Sequence, residues 1–171
     1  MLPYLLATRM AVGMNSSHQM DKTDDINFMQ LALDQARIAE ELGEVPVGAI
    51  VVLNQEVIAA AHNRRELDAS PSAHAEFLAL QEAARKLGCW RLSDCTVYVT
   101  LEPCLMCAGL MQQARIARCV YGASDPKAGA LGSLYCVHED NRLNHTFEVE
   151  GGLCRDESAY MLSKFFSQLR K

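Results

Sequence analysis

Apolar residues recur at helical spacing from Ile26 to Leu42, at Phe28, Leu31, Ala32, Ala36, Ala39 and Leu42, with polar side chains between them. The pattern predicts an amphipathic helix that Asp24 or Asp25 caps and Gly43 ends. Val47-Gly48-Ala49-Ile50-Val51-Val52-Leu53 is then a β-branched run, Asn54-Gln55 turns the chain, and Val57-Ile58-Ala59-Ala60-Ala61 returns. This predicts a hairpin of two strands. A polar loop from Asn63 to Ser72 leads to a second helix over Ala73 to Leu87. Cys95 to Thr100, Cys119 to Gly122 and Phe147 to Glu150 read as three further strands. Pro103, suited to a first turn, opens a helix to about Ala114, and a last helix runs from about Asp156 to Arg170. A glycine-containing loop, Ser124 to Ser133, follows the fourth strand.

Helices alternating with strands predict an α/β layer architecture. The hairpin makes part of the sheet antiparallel, and the unit from Cys95 to Gly122 calls for a right-handed parallel crossover. The length of 171 residues suits one domain. Residues 1–24 are expected as a flexible extension and residues 25–171 as the catalytic domain. Met1 to Met10 lacks a basic leader and is interrupted by Arg9, so it reads as neither signal peptide nor membrane helix. Asn15 to Asp25 is polar and expected to be loose, and Met14 and Met20 are alternative starts.

Hydrophobic residues at 50% and charged ones at 22% exclude a largely disordered chain. No apolar run reaches the ~18 residues of a membrane span. With 16 Lys+Arg against 21 Asp+Glu the net charge is −5, which excludes a bulk electrostatic grip on nucleic acid. A local patch is left: Arg85, Lys86, Arg91, Arg115, Arg118 and Lys127 outnumber Asp94, Glu102 and Asp125, and the chain ends with Lys164, Arg170 and Lys171. Such runs read first as a solvated face. The 7 cysteines, an odd number without a secretion signal, fit a reducing cytosol. Roughly four or five of them are expected as small core residues.

Two motifs carry chemistry, His74-Ala75-Glu76 and Pro103-Cys104-Leu105-Met106-Cys107. Composition alone gives the first about 0.35 times and the second about 0.008 times in such a chain, so the cysteine motif is the stronger signal. Cys104 and Cys107, three apart at a helix start, share a face, and a helix N-terminus favours thiolates. Two thiolates and one imidazole make three zinc ligands, which leaves a fourth tetrahedral position for solvent, as in catalytic sites. Glu76 is then the candidate proton carrier. Residues two apart on a helix point ~200° from each other, so His74 is expected at the non-helical entry and Glu76 in the first turn. The bland alternatives are a redox pair or structural zinc site for the cysteines, a capping carboxylate for Glu76 and a buried core histidine for His74. The coincidence of all four residues outweighs them.

With these residues the sequence resembles the zinc-dependent cytidine-deaminase-like superfamily, and most closely its bacterial tRNA-specific adenosine deaminases, over about Ile26 to Arg170. The resemblance rests also on Glu44-Val45-Pro46-Val47-Gly48-Ala49, His62-Asn63-Arg64, Val99-Thr100-Leu101-Glu102, Ala108-Gly109, Gly129-Ala130-Leu131-Gly132-Ser133, Asn144-His145 and Phe165-Phe166. It implies a three-layer α/β/α fold with a mixed five-stranded sheet. It implies that His74, Cys104 and Cys107 hold one Zn2+ per subunit, that Glu76 shuttles protons, and that Asn63, Ala75 and Asp125 meet the substrate. It further implies a cytoplasmic homodimer, without membrane attachment, that converts the wobble adenosine of a tRNA anticodon stem-loop to inosine, with one of the two phenylalanines flanking the RNA. Ser70-Pro71-Ser72 replaces the family's Asp-Pro-Thr, retaining a serine cap. Ser124 replaces a common Arg, and Pro126 and Leu131 replace smaller or more flexible residues. The rival functions are a deaminase of free cytosine, cytidine or guanine, and a non-catalytic zinc module acting as a partner subunit.

Overall fold

The computed structural model describes residues 22–169. Strand β1 (Gly48–Leu53) is buried on both faces, which is why its sequence is an unbroken apolar run rather than an alternation. Ala49 and Val51 point into one core, Ile50 and Val52 into the other. A hairpin joins β1 to β2 (Glu56–His62), and Asn54 and Gln55 at its tip have φ of 50° and 63°. Two left-handed residues are what a tight hairpin turn of this length requires.

The sheet order is β2-β1-β3-β4-β5, with β3 at Cys95–Leu101, β4 at Arg118–Ala123 and β5 at Glu148–Gly151. β1 runs antiparallel to both β2 and β3, and β3, β4 and β5 run parallel. The expected mixed sheet of five strands is therefore present, as is the parallel pair formed by the third and fourth strands. The first core is closed by α2 (Ala75–Leu87) and α3 (Leu105–Ala114). The second is closed by α1 (Lys22–Glu41) and α4 (Arg155–Leu169). Helices on both sides make three layers. Gly48 lets α1 lie directly on β1, since a Cβ there would collide with the Ala32 carbonyl and the Ala36 amide. A three-residue 3₁₀ turn, Val137–Glu139, was not apparent from the sequence pattern.

Three expectations need correction. The first helix begins at Lys22, four residues before Ile26, so Lys22 to Asp25 is helical rather than loose; Met1 to Met10 and the rest of residues 1–21 lie outside the described residues. Asp25 does not cap this helix: it is 4% exposed, accepts from the Tyr98 hydroxyl, and takes two bonds from the Arg118 guanidinium at 2.8 and 2.7 Å. Tertiary partners, not local propensity, set that helix start. The cysteines are also less buried than expected. Cys95 and Cys119 are core residues, but Cys89 and Cys136 are exposed and Cys154 is half-buried. Among the described residues, no helix is long and apolar enough to cross a membrane.

Burial opposes ionisation of Asp25, but the bonds from Arg118 and Tyr98 outweigh it and hold its carboxyl below the usual range. Its stabilising effect is thus complete above the unfolded-state pKa of ~4 and is lost as pH falls through the lower folded value. Asp25→Asn should lower stability by about 2 kcal/mol at neutral pH, because it breaks the buried side of the Arg118 pairing and leaves Glu150 as that guanidinium's remaining carboxylate. Urea melts of both proteins at pH 7 and pH 3 check this, and the difference should shrink at the lower pH.

Candidate active site

Two helices start at the same place. α2 is entered through His74, whose φ of −77° and ψ of 148° are extended, and α3 through Cys104, with φ of −73° and ψ of 172°. Both occupy N-cap positions, where a polar side chain normally bonds the first free amides of its own helix. Neither does so. Their donor atoms instead turn toward each other. His74 Nδ1 stands 3.7 Å from the Cys104 sulfur and 3.7 Å from that of Cys107, in the first turn of α3. The three donor atoms lie within 4.8 Å of one another. His74 at the extended entry and Glu76 in the first turn is the arrangement that the helix geometry demanded. Ser72, expected to cap α2, does not: its carbonyl accepts from the His74 amide at 2.8 Å, and its hydroxyl stands 3.2 Å from that of Ser70.

This donor set fits a tetrahedral ion of zinc's size. Metal–sulfur bonds of ~2.3 Å and metal–nitrogen bonds of ~2.0 Å place such donors roughly 3.5–3.8 Å apart. The electrostatics favour a thiolate at Cys104. The Cys107 thiol donates to the Cys104 sulfur, and this is the main reason that the Cys104 pKa is drawn down to about 3, with His74 assisting against the opposing effect of burial. That same bond, with burial and the neighbouring Glu76, pushes the Cys107 thiol up. The contact with Cys104 raises His74. Both helix dipoles present their positive ends here, which stabilises anionic sulfur.

Glu76 is 4% exposed, and its burial raises its carboxyl above the usual range. It borders a cavity of about 230 Å3 together with His74 and Cys104, and Asn63, Glu102 and Asp125 stand around it. Two larger hollows, of about 660 and 400 Å3, hold none of the three donors, so size does not identify the site and chemistry does. Asn63 is buried, and its Nδ2 donates to Glu44 Oε2 at 2.9 Å. A carboxylate only accepts, so the amide must face it with nitrogen, which leaves Oδ1 as the amide's acceptor atom. The Ala75 methyl belongs to the first core. What it can offer a ligand is its backbone N–H, one of the unpaired amides of a first helical turn. Asp125 borders the cavity, but its Oδ1 accepts from the Lys127 and Ala128 amides at 2.9 and 3.3 Å and so shapes its own loop.

Sequence reasoning missed Glu44 and Glu102. Glu44 is 1% exposed and also accepts from the Leu67 amide at 2.7 Å, so one carboxylate holds the start and the middle of the loop after β2. Both lie in stretches that carry the resemblance, yet no local pattern marks either carboxylate as buried. The basic patch shrinks. Arg118 is paired with Asp25 and Glu150, Arg85 with Glu82 and Lys164 with Glu40, while Arg115 bonds the Asn144 carbonyl. Arg65, which that tally omitted, borders the cavity. Arg170 and Lys171 lie outside the described residues. Of the phenylalanine pair, Phe165 is core and Phe166 is 42% exposed.

A family model of MafB19-like deaminases matches residues 23–170. The tRNA-specific adenosine deaminase of Bacillus subtilis (strain 168) is 49% identical over 149 residues, 87% of this chain and 92% of that protein. The chain belongs to the tRNA-specific adenosine deaminase family. The family's protein from Haemophilus influenzae is 44% identical and covers 86% of each chain. Among solved structures, one from a study of A-to-I editing by tRNA:A34 deaminases has a TM-score of 0.77 and 45% identity, over 80% of this chain and 99% of that one. Guanine deaminase from Bacillus subtilis is more distant, with a TM-score of 0.55 and 34% identity over 57% of this chain and 63% of its own. Family membership makes the chain an enzyme, and a metal cofactor fits both the family and the donor set.

Purified protein should carry metal. Cys104→Ala should bring the bound metal, measured by elemental analysis, below about a tenth of the wild-type level, since loss of a thiolate leaves two donors.

Proposed function

We propose that the chain hydrolytically deaminates adenosine to inosine at the wobble position of a tRNA anticodon. It acts as a cytoplasmic homodimer with one Zn2+ per subunit, held by His74, Cys104 and Cys107, and residues 25–171 form the catalytic unit. The observation that carries this reading is the buried carboxylate of Glu76 beside a three-donor group, in a chain 49% identical to a tRNA-specific adenosine deaminase. Bound zinc supplies a Lewis acid that brings the pKa of a water down toward ~7.

Water adds its oxygen to adenine C6, the C6–N bond breaks, and ammonia leaves. Glu76 takes the water's proton, passes it to ring N1 and then delivers one to the departing amine. Burial suits it to this cycle, because a carboxyl raised above its usual range holds an abstracted proton more readily. Asn63 Oδ1, the Ala75 amide and the Asp125 loop hold the nucleotide. A cavity of about 230 Å3 is smaller than the ~300 Å3 of common ligand sites and suits one base turned out of its stack. An anticodon loop offers such a base at low cost.

A net charge of −5 and the internal pairing of Arg85, Arg118 and Lys164 restrict the grip on RNA to few contacts, and Arg65 at the cavity is one such cation. The homodimer reading draws on an apolar hollow between α2 and α3, lined by Leu80, Leu92, Leu110 and a Trp90 that is 57% exposed. A free-base deaminase is the second reading, favoured by the small cavity and the likeness to guanine deaminase.

Incubation with an anticodon stem-loop bearing adenosine at the wobble position should yield inosine by mass analysis, while free cytidine and guanine stay intact. Turnover of the free compounds without action on RNA refutes the substrate. Glu76→Ala should retain the metal and lose about 10²–10⁴-fold in kcat; unchanged turnover refutes the proton role.

A further inference from the structure

Two acidic side chains at the cavity are almost wholly buried, Glu76 at 4% and Glu102 at 2% exposure, and the reaction employs only the first. Glu102 follows directly on β3 and precedes the turn that carries Cys104. Its carboxylate faces the loop from Ser124 to Ser133. It accepts from the Asp125 amide at 2.9 Å, the Leu131 amide at 3.1 Å, the Ser133 amide at 2.9 Å and the Ser133 hydroxyl. A carboxylate offers about four acceptor sites, so these four donors saturate it. It is therefore unsuited to proton transfer.

The loop is braced from within, where the Gly129 amide donates to the Asp125 carbonyl at 2.9 Å and Asp125 Oδ1 takes the Lys127 and Ala128 amides. Its backbone is also tied to the turn that carries Cys104: Ala130 donates to the Pro103 carbonyl at 2.9 Å, and Gly129 forms a bridge with Cys104. Gly129 approaches so closely that a Cβ there would strike the Glu102 carboxylate. Asp125 and Ala128, both in this loop, form part of the cavity wall. Glu102 thus ties this wall to the end of β3 through three amides and one hydroxyl.

We propose that Glu102 is a positioning residue for substrate binding, which sets the cavity wall that meets the nucleotide by holding the amides of Asp125, Leu131 and Ser133. This rests on the reading of the site as a nucleotide deaminase and adds to it the residue that builds the binding wall. The side-chain hydrogen bonds of Glu102 go to this loop and not to His74, Cys104 or Cys107. Its loss acts on affinity more than on the chemical step.

Glu102→Gln retains the volume but turns an NH2 group onto the amide donors. It should raise KM for the stem-loop about tenfold while kcat falls less than threefold, with metal content per chain equal to wild type. Hydrogen exchange at Asp125, Leu131 and Ser133 should quicken, with β3 and α3 unchanged. Ser133→Ala removes one donor and leaves the carboxylate, so it should raise KM by about twofold to threefold. Loss of metal, or a fall in kcat at constant KM, would make Glu102 a support of the metal turn and overturn the proposal. Should Glu102→Gln fail to fold, Ser133→Ala decides, and an unchanged KM overturns it. A wild type inactive on the stem-loop rejects the substrate reading alone, and the KM of the free base then tests Glu102 in the same way.

Discussion

The convergence of two helix N-termini is the constraint on which the rest of the molecule depends. α2 and α3 give their cap positions to His74 and Cys104, and neither residue caps. Each helix forgoes about 1 kcal/mol of capping stabilisation. In exchange, the positive ends of both dipoles face a set of two sulfurs and one imidazole nitrogen that lie within 4.8 Å of one another. The sheet makes this possible. β3 runs straight into the Cys104 turn, while β1 and β2 bring the loop before α2 across from it. A change in strand order would separate the donors without altering either motif.

Four buried carboxylates show how environment assigns roles to one functional group. Asp25 is paired with Arg118 and Tyr98 and anchors α1 to β3 and β4. Glu44 and Glu102 are engaged by amide donors, and each fixes a loop on one side of the cavity. Glu76 stands beside the donor set, and burial shifts its carboxyl upward. A saturated carboxylate organises structure; one whose affinity for a proton burial has raised can move protons. The same contrast explains the cations. Arg118 and Lys164 contribute to apparent surface charge in the sequence, yet both pair with acids. Net charge of −5 is thus a fair guide to the bulk field and a poor guide to any single contact.

The hydrophobic pattern by itself determined the alternation of helices and strands, with most boundaries within two residues, because periods of 3.6 and 2 are local properties of the backbone. The motifs determined which side chains could bind a metal, and helix geometry placed His74 at an extended entry before any fold was known. Tertiary structure alone decided the order β2-β1-β3-β4-β5, the start of α1 at Lys22 and the burial of Glu44 and Glu102. Asp25 finds Tyr98 and Arg118 at separations of 73 and 93 residues, and Glu102 finds Ser133 at 31. Contacts of that range are chosen by how elements pack, since nothing in the residues flanking a carboxylate specifies a partner that far along the chain.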